Sequence, residues 1–173
     1  MGDTLITVVA IVLAATLMFV FPLMTMSNRA DDVSQLSVQS LTTQFVDDVR
    51  TTGKITSDKY NKFVENIHST GNTYDVEIEV KVRDENPGKK TTQTAKDKIG
   101  ENVYYSVYTS QIEEKLNANQ DYKLKEGDIV SVDVKNTNQT LSQQLKNFFY
   151  SVVGKDTYTI AASHAGIVTA TGK

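Results

Sequence analysis

The 23 positions from Thr4 to Met26 carry no charged side chain, and most are Leu, Ile, Val, Ala, Met or Phe. As a helix rising about 1.5 Å per residue, this run reaches roughly 34 Å, enough to cross a hydrocarbon layer about 30 Å thick. The pattern then changes without a linker. Val38, Leu41, Phe45 and Val49 recur at three- and four-residue steps, with Val33, Leu36 and Val46 beside them and Asp31, Asp32, Asp47, Asp48 and Arg50 between. No Pro or Gly falls between Leu23 and Thr52, so the apolar helix is expected to run on as an amphipathic one, Val33 to Val49 forming its packing face, until Gly53. Inside the apolar part, Pro22 lacks a backbone donor and is expected to kink or melt the helix near Met18 to Pro22.

Thr56, Ser57 and Asp58 offer caps ahead of Tyr60, Phe63, Val64 and Ile67, which predicts a helix over 57–69 closed by Gly71. Tyr74, Val76, Ile78, Val80 and Val82 then alternate with Asp75, Glu77, Glu79, Lys81 and Arg83, a strand with one face in solvent and hence an antiparallel sheet. Asp84 to Gly88 has turn chemistry, and Lys89 to Lys98 reads as an exposed loop. Residues 102–116 carry two patterns: Val103, Tyr105 and Val107 alternate, while Tyr104, Tyr108, Ile112 and Leu116 fit a helix. The helical reading is taken over 103–117, with Ser110 and Glu113 at capping-box spacing. Ile129, Val130, Val132 and Val134 predict a second strand. Thr140 is read as the cap of a helix carrying Leu141, Leu145, Phe148, Phe149, Val152 and Val153 up to Gly154. Tyr158, Ile160, Ala162, Val168 and Ala170 share two-residue parity in a last strand over 156–171, with a bulge or bend expected at Gly166. Three strands and three short helices behind a long first helix make an α+β fold, its antiparallel sheet packed on the amphipathic helix. Residues 1–28 are assigned to a transmembrane or filament-core helix and residues 29–173 to an α+β head.

Composition narrows the classes. The chain has 173 residues, 39% of them hydrophobic, with net charge −3 and neither Cys nor Trp, which excludes disordered and disulfide-stapled types. About 145 residues lie outside the apolar run, enough for one modest domain. The acidic balance gives no basic face, so no nucleic-acid partner is expected. A cleaved signal peptide expects a basic start and a shorter apolar core, whereas Met1-Gly2-Asp3 leads directly into the long run, so the helix is read as retained.

Groupings that could carry catalytic or metal chemistry are sparse. His68 and His164 are the only imidazoles, and neither stands in a metal-binding or hydrolase spacing. His68 is accounted for by favourable charge at a helix C-terminus. Asp31, Asp32, Asp47, Asp48, Glu77 and Glu79 read as solvated surface; Asp84, Glu85, Asn86 and Asp128 are oxygen donors without calcium-loop spacing. Tyr104, Tyr105 and Tyr108 read as core or subunit contacts, and Asn138-Gln139-Thr140 as a glycosylation pattern frequent by chance. No enzyme, metal or cofactor is expected. Chemistry therefore gives way to packing. Thr4, Thr7, Thr16 and Thr25 can bond their own helix or a neighbour, and Ala10, Ala14 and Ala15 allow close approach.

Gly2 before Asp3-Thr4-Leu5-Ile6-Thr7-Val8-Val9-Ala10, the Pro22 break and the Val33 to Val49 face together resemble the type IV pilin superfamily, closest to the pilin-like subunits of Tad-type machinery in Gram-positive bacteria. The family's Glu at the fifth mature position corresponds here to Thr7, counting from Asp3. The resemblance implies storage in the cytoplasmic membrane, extraction by an assembly machinery, and self-polymerisation into a surface filament with first helices bundled at its core. Leu5, Val9, Val12, Leu13, Leu17, Val20, Pro22 and Leu23 are then the expected packing residues, and Gly2 and Asp3 the place of N-terminal processing or charge pairing. The rival expectation is a single-pass binding or assembly-accessory protein that does not polymerise.

Overall fold

The computed structural model describes residues 2–84, 104–150 and 160–173. In chain order the elements are α1 Gly2–Thr52, β1 Lys54–Ile55, α2 Ser57–His68, β2 Tyr74–Arg83, β3 Tyr104–Tyr108, α3 Thr109–Asn117, β4 Tyr122–Lys123, β5 Ile129–Asn136, α4 Leu141–Tyr150 and β6 Ala161–Ile167. The fold is α+β, as the patterning predicts. A four-stranded antiparallel sheet in the order β3-β2-β5-β6 packs on the second half of α1, and β1 pairs with β4 in a separate two-stranded ribbon.

α1 is a single helix of 51 residues. The expected melting at Pro22 does not occur: proline removes one backbone bond, and the helical turns on either side are long enough to carry the helix through that loss. Val38, Phe45, Val46 and Val49 are buried against the sheet and α2, and the Thr42 hydroxyl among them donates to the Val38 carbonyl at 2.7 Å. The expected packing face needs correcting at its start. Val33 and Leu36 are 63% and 67% exposed, because at 3.6 residues per turn they lie about 160–220° around the axis from Val38.

The helix stops where expected. Gly53 takes φ +66, and its missing Cβ leaves room for the backbone of Ala170 and Gly172. Its carbonyl accepts from the Leu124 N–H at 2.8 Å, while Thr169 N–H donates to the Arg50 carbonyl at 2.9 Å, so the last residues of the chain close the end of α1. α2 is capped by Thr56, whose hydroxyl accepts from the Lys59 N–H, and it buries Phe63 and Ile67; the Phe63 ring stacks on Phe45 with centroids 4.5 Å apart.

β2 faces the core with Tyr74, Ile78 and Val80, and β5 with Val130, Val132 and Val134. The helix expected over 103–117 is half strand. Alternation holds through Tyr108 because the edge of β2 from Glu79 to Arg83 receives it. The Thr109 hydroxyl then accepts from Ile78 N–H at 2.7 Å and returns a longer bond to the Ile78 carbonyl, taking the place of the next ladder residue, and the chain turns into α3. The start of α3 is closed by Gln111, whose Oε1 accepts from Tyr108 N–H, rather than by the expected Ser110 and Glu113 pair. Gly166 makes no bulge: β6 pairs with β5 without interruption from Ala161 to Ile167. Two side chains of α1 seal the outer edge of that strand. Gln35 donates to the Ala161 carbonyl at 2.6 Å and accepts from its N–H at 3.0 Å, and Arg50 Nε donates to the Ile167 carbonyl at 2.9 Å. The loop expected at Lys89 to Lys98, and the end of the last helix at Gly154, lie outside the described residues.

Candidate functional site: the uncovered side of the first helix

α1 has one side covered by its own chain and one side bare. The covered side follows Val20, Met24, Ser27, Asp31, Ser34, Val38, Thr42, Phe45 and Val49 at three- and four-residue steps, which is one face of a helix. From Ser34 onward the sheet and α2 cover it. At Asn28 and Asp31 the start of α4 meets it. Thr140 Oγ1 donates to Asp31 Oδ2 at 2.8 Å, and Ser142 Oγ donates to Asn28 Oδ1 at 2.6 Å. Thr140 and Gln143 close a reciprocal cap: Gln143 Oε1 accepts from Thr140 N–H at 2.9 Å, and Thr140 Oγ1 accepts from Gln143 N–H at 3.3 Å. The Asp31 carboxylate thus sits at the N-terminus of α4, where the helix dipole favours negative charge. Only 6% exposed, Asp31 is not the solvated surface residue the sequence suggests.

The bare side carries the expected packing residues. Leu5, Val9, Val12 and Leu13 are between 53% and 68% exposed, Leu17 and Leu23 are exposed less fully, Pro22 is exposed, and Val20 alone of that set is half-buried. Leu5, Val12, Phe19, Met26 and Val33 form a ridge at seven-residue intervals, every member exposed, and Leu36 follows it. The sequence reading missed Phe19 and Met26 as members of this ridge; their seven-residue spacing was the available signal.

The polar groups of this segment are turned inward on the helix. The hydroxyls of Thr7, Thr16 and Thr25 donate to the carbonyls of Asp3, Val12 and Phe21 at 2.8, 2.8 and 3.0 Å. Such back-bonding satisfies donors in surroundings that offer no water. α1 is long and apolar enough in this half to cross a membrane. Asp3 lies in its first turn, where the dipole favours it. A Cβ at Gly2 would meet nothing within 4 Å, so packing within the chain does not require glycine there.

The remaining candidates are used structurally. His68 Nε2 accepts from Tyr74 N–H at 3.3 Å, and His164 Nε2 lies 3.8 Å from Asp47. Asp128 is buried with both oxygens engaged, by the N–H groups of Arg83 and Lys125. In the glycosylation pattern, Thr140 is buried and Asn138 bonds Asn72 and Thr73. Tyr104, Tyr105 and Tyr108 are exposed on edge strand β3, so the core reading of them is corrected. No family model, curated protein or solved structure matches this chain.

Proposed function

We propose that the chain is a structural subunit of a bacterial type IV-like surface filament. Thr4 to Met26 hold it in the cytoplasmic membrane before assembly, and the same helix packs on copies of itself in the filament core with the α+β head outward. The observation that carries this reading is the length of the bare ridge. A lone anchor needs lipid only over the uncharged run, but exposed apolar side chains continue through Val33 to Leu36, about 15 Å past Met26. A seven-residue repeat is the spacing that a neighbouring helix covers. Burying a large apolar side chain is worth about 1.5–3 kcal/mol, so a ridge of this length rewards stacking of many copies. The inward-bonded threonines suit a water-free core, and the absence of a packing role for Gly2 fits N-terminal processing before Asp3. Extraction by an assembly machinery is the partner that the family resemblance implies.

Leu13→Arg places a charge in the middle of the packing segment. The chain is expected in sheared surface filaments of cells producing it, and this variant is expected to be missing from them. Filaments unchanged by Leu13→Arg, or surface filaments that lack the chain altogether, would overturn the reading in favour of a non-polymerising accessory protein.

A further inference from the structure

α4 meets α1 through polar residues at its start. Thr140, which caps α4, bonds Asp31, and Ser142 bonds Asn28; both are buried, as is Gln143, while Leu141 is 52% exposed. In the sequence, Leu145, Phe148 and Phe149 follow Leu141 at four, seven and eight residues, the spacing of one helix face. Leu141 is the exposed member of that face and Leu145 is half-buried, with Gln144 and Asn147 exposed beside them; an apolar face that α1 does not hold has its partner elsewhere. The position of α4 along α1 says which. It meets α1 at Asn28 and Asp31, directly after the uncharged run, and successive contacts step from Asp31 back to Asn28 as α4 advances from Thr140 to Ser142. Val20 and Met24, on the same stripe, are the only half-buried positions of the run. Continued along that line, the eight residues of α4 after Ser142 add about 12 Å, past the end of the run at Met26 and into the level at which interfacial amphipathic helices rest.

We propose that α4 is a second membrane contact: an amphipathic helix seated at the lipid headgroup and acyl boundary beside the span, with Leu141 and Leu145 in contact with lipid. This rests on the membrane residence stated above. It also gives the polar clasp at Asp31 and Thr140 a purpose, because the clasp fixes the angle at which the head stands on the membrane.

The absence of Trp from the chain allows single-tryptophan reporters. The full chain carrying Leu141→Trp, with Leu145→Trp as a second site, is reconstituted in phosphatidylcholine and phosphatidylglycerol vesicles containing acyl-brominated phosphatidylcholine. Leu13→Trp reports the span, and Ser110→Trp, exposed on α3, reports the distant head. The expected result is emission shifted to shorter wavelength and quenched by bromolipid for Leu141→Trp and Leu13→Trp, at every protein-to-lipid ratio, with Ser110→Trp unquenched. A quenched Leu13→Trp beside an unquenched, water-like Leu141→Trp overturns this inference and leaves the span in place. A blue shift at position 141 that vanishes on dilution into more lipid, without bromolipid quenching, assigns the face to a second copy and also overturns it. An unquenched Leu13→Trp removes the membrane residence itself, and the inference with it.

Discussion

The Arg50 side chain lies directly across Gly166, so close that a Cβ there would run into its Nε, Cδ and Cζ atoms. Arg50 is not free to swing away, because Nε is bonded to the Ile167 carbonyl and Nη1 lies 2.8 Å from Asp47 Oδ1. The glycine that reads as a bend in the sequence is instead a passage for a side chain that ties the end of α1 to the edge of the sheet. Gly166→Ala is expected to displace Arg50, expose the Ile167 carbonyl and lower stability by about 1–2 kcal/mol. Urea unfolding in detergent should show an earlier midpoint, and Arg50→Ala should largely abolish the further effect of Gly166→Ala, since both remove the same contact.

Asp31 joins α4 to α1 through a buried charge-assisted bond to Thr140 at the N-terminus of α4. Asp31→Ala leaves the Thr140 hydroxyl without that acceptor and is expected to cost about 1–3 kcal/mol, concentrated in α4. Hydrogen exchange should accelerate at the amides of residues 143–147 while those of β5 stay protected. Uniform acceleration throughout the head would show that the clasp supports the whole fold rather than α4 alone.

That clasp also explains where sequence reading fell short. The covered stripe of α1 includes Ser27, Asp31 and Ser34, which no hydrophobic pattern selects, and the residues that bury Asp31 lie more than a hundred positions away in sequence. Pattern reading therefore placed Val33 and Leu36 on the inner face when they belong to the outer ridge. β2 was legible because its alternation is local and its outer face is wet. The passage from β3 to α3 was not, since both periodicities in that stretch are real and change over at Thr109, whose hydroxyl bonds are made to Ile78 across the sheet. β1 and β4, two residues each, have too little pattern to read and exist through their pairing. The bare side of α1 was readable in its first half because an uncharged run needs no partner to be recognised.

Alkaline pH should loosen the head through two tyrosines. Burial pushes the Tyr122 phenol up to about 12, aided by the charges of Tyr105 and Asp128. Tyr60 is raised further, by burial and then by its 2.6 Å bond to Glu113. Each raised pKa means that the folded state holds the proton more tightly than the unfolded chain. The stabilisation is whole below about pH 10, the unfolded value, and is lost as pH rises through the folded values. Tyrosinate absorbance should show a late-titrating component from Tyr60 and Tyr122, and Tyr60→Phe should reduce it. Stability should fall from about pH 10 upward.

Val33 separates anchoring from packing, because it lies on the exposed ridge but beyond the uncharged run. Val33→Glu is expected to leave the chain in the membrane fraction at its usual level while surface filaments fall below detection. Its exposure makes a folding defect small, within about 0.5 kcal/mol. Filaments that survive Val33→Glu would confine the packing surface to the uncharged run.

In the filament proposed above, the bare side of α1 meets the same segment of other copies. A photo-crosslinking amino acid at Leu13 tests it most directly, because each copy can then capture a neighbour and be captured in turn. Irradiation of intact surface material should yield a ladder of multimers, with peptides from Thr4 to Met26 joined to position 13. A single unshifted band, with position 13 joined only to lipid, would contradict the account.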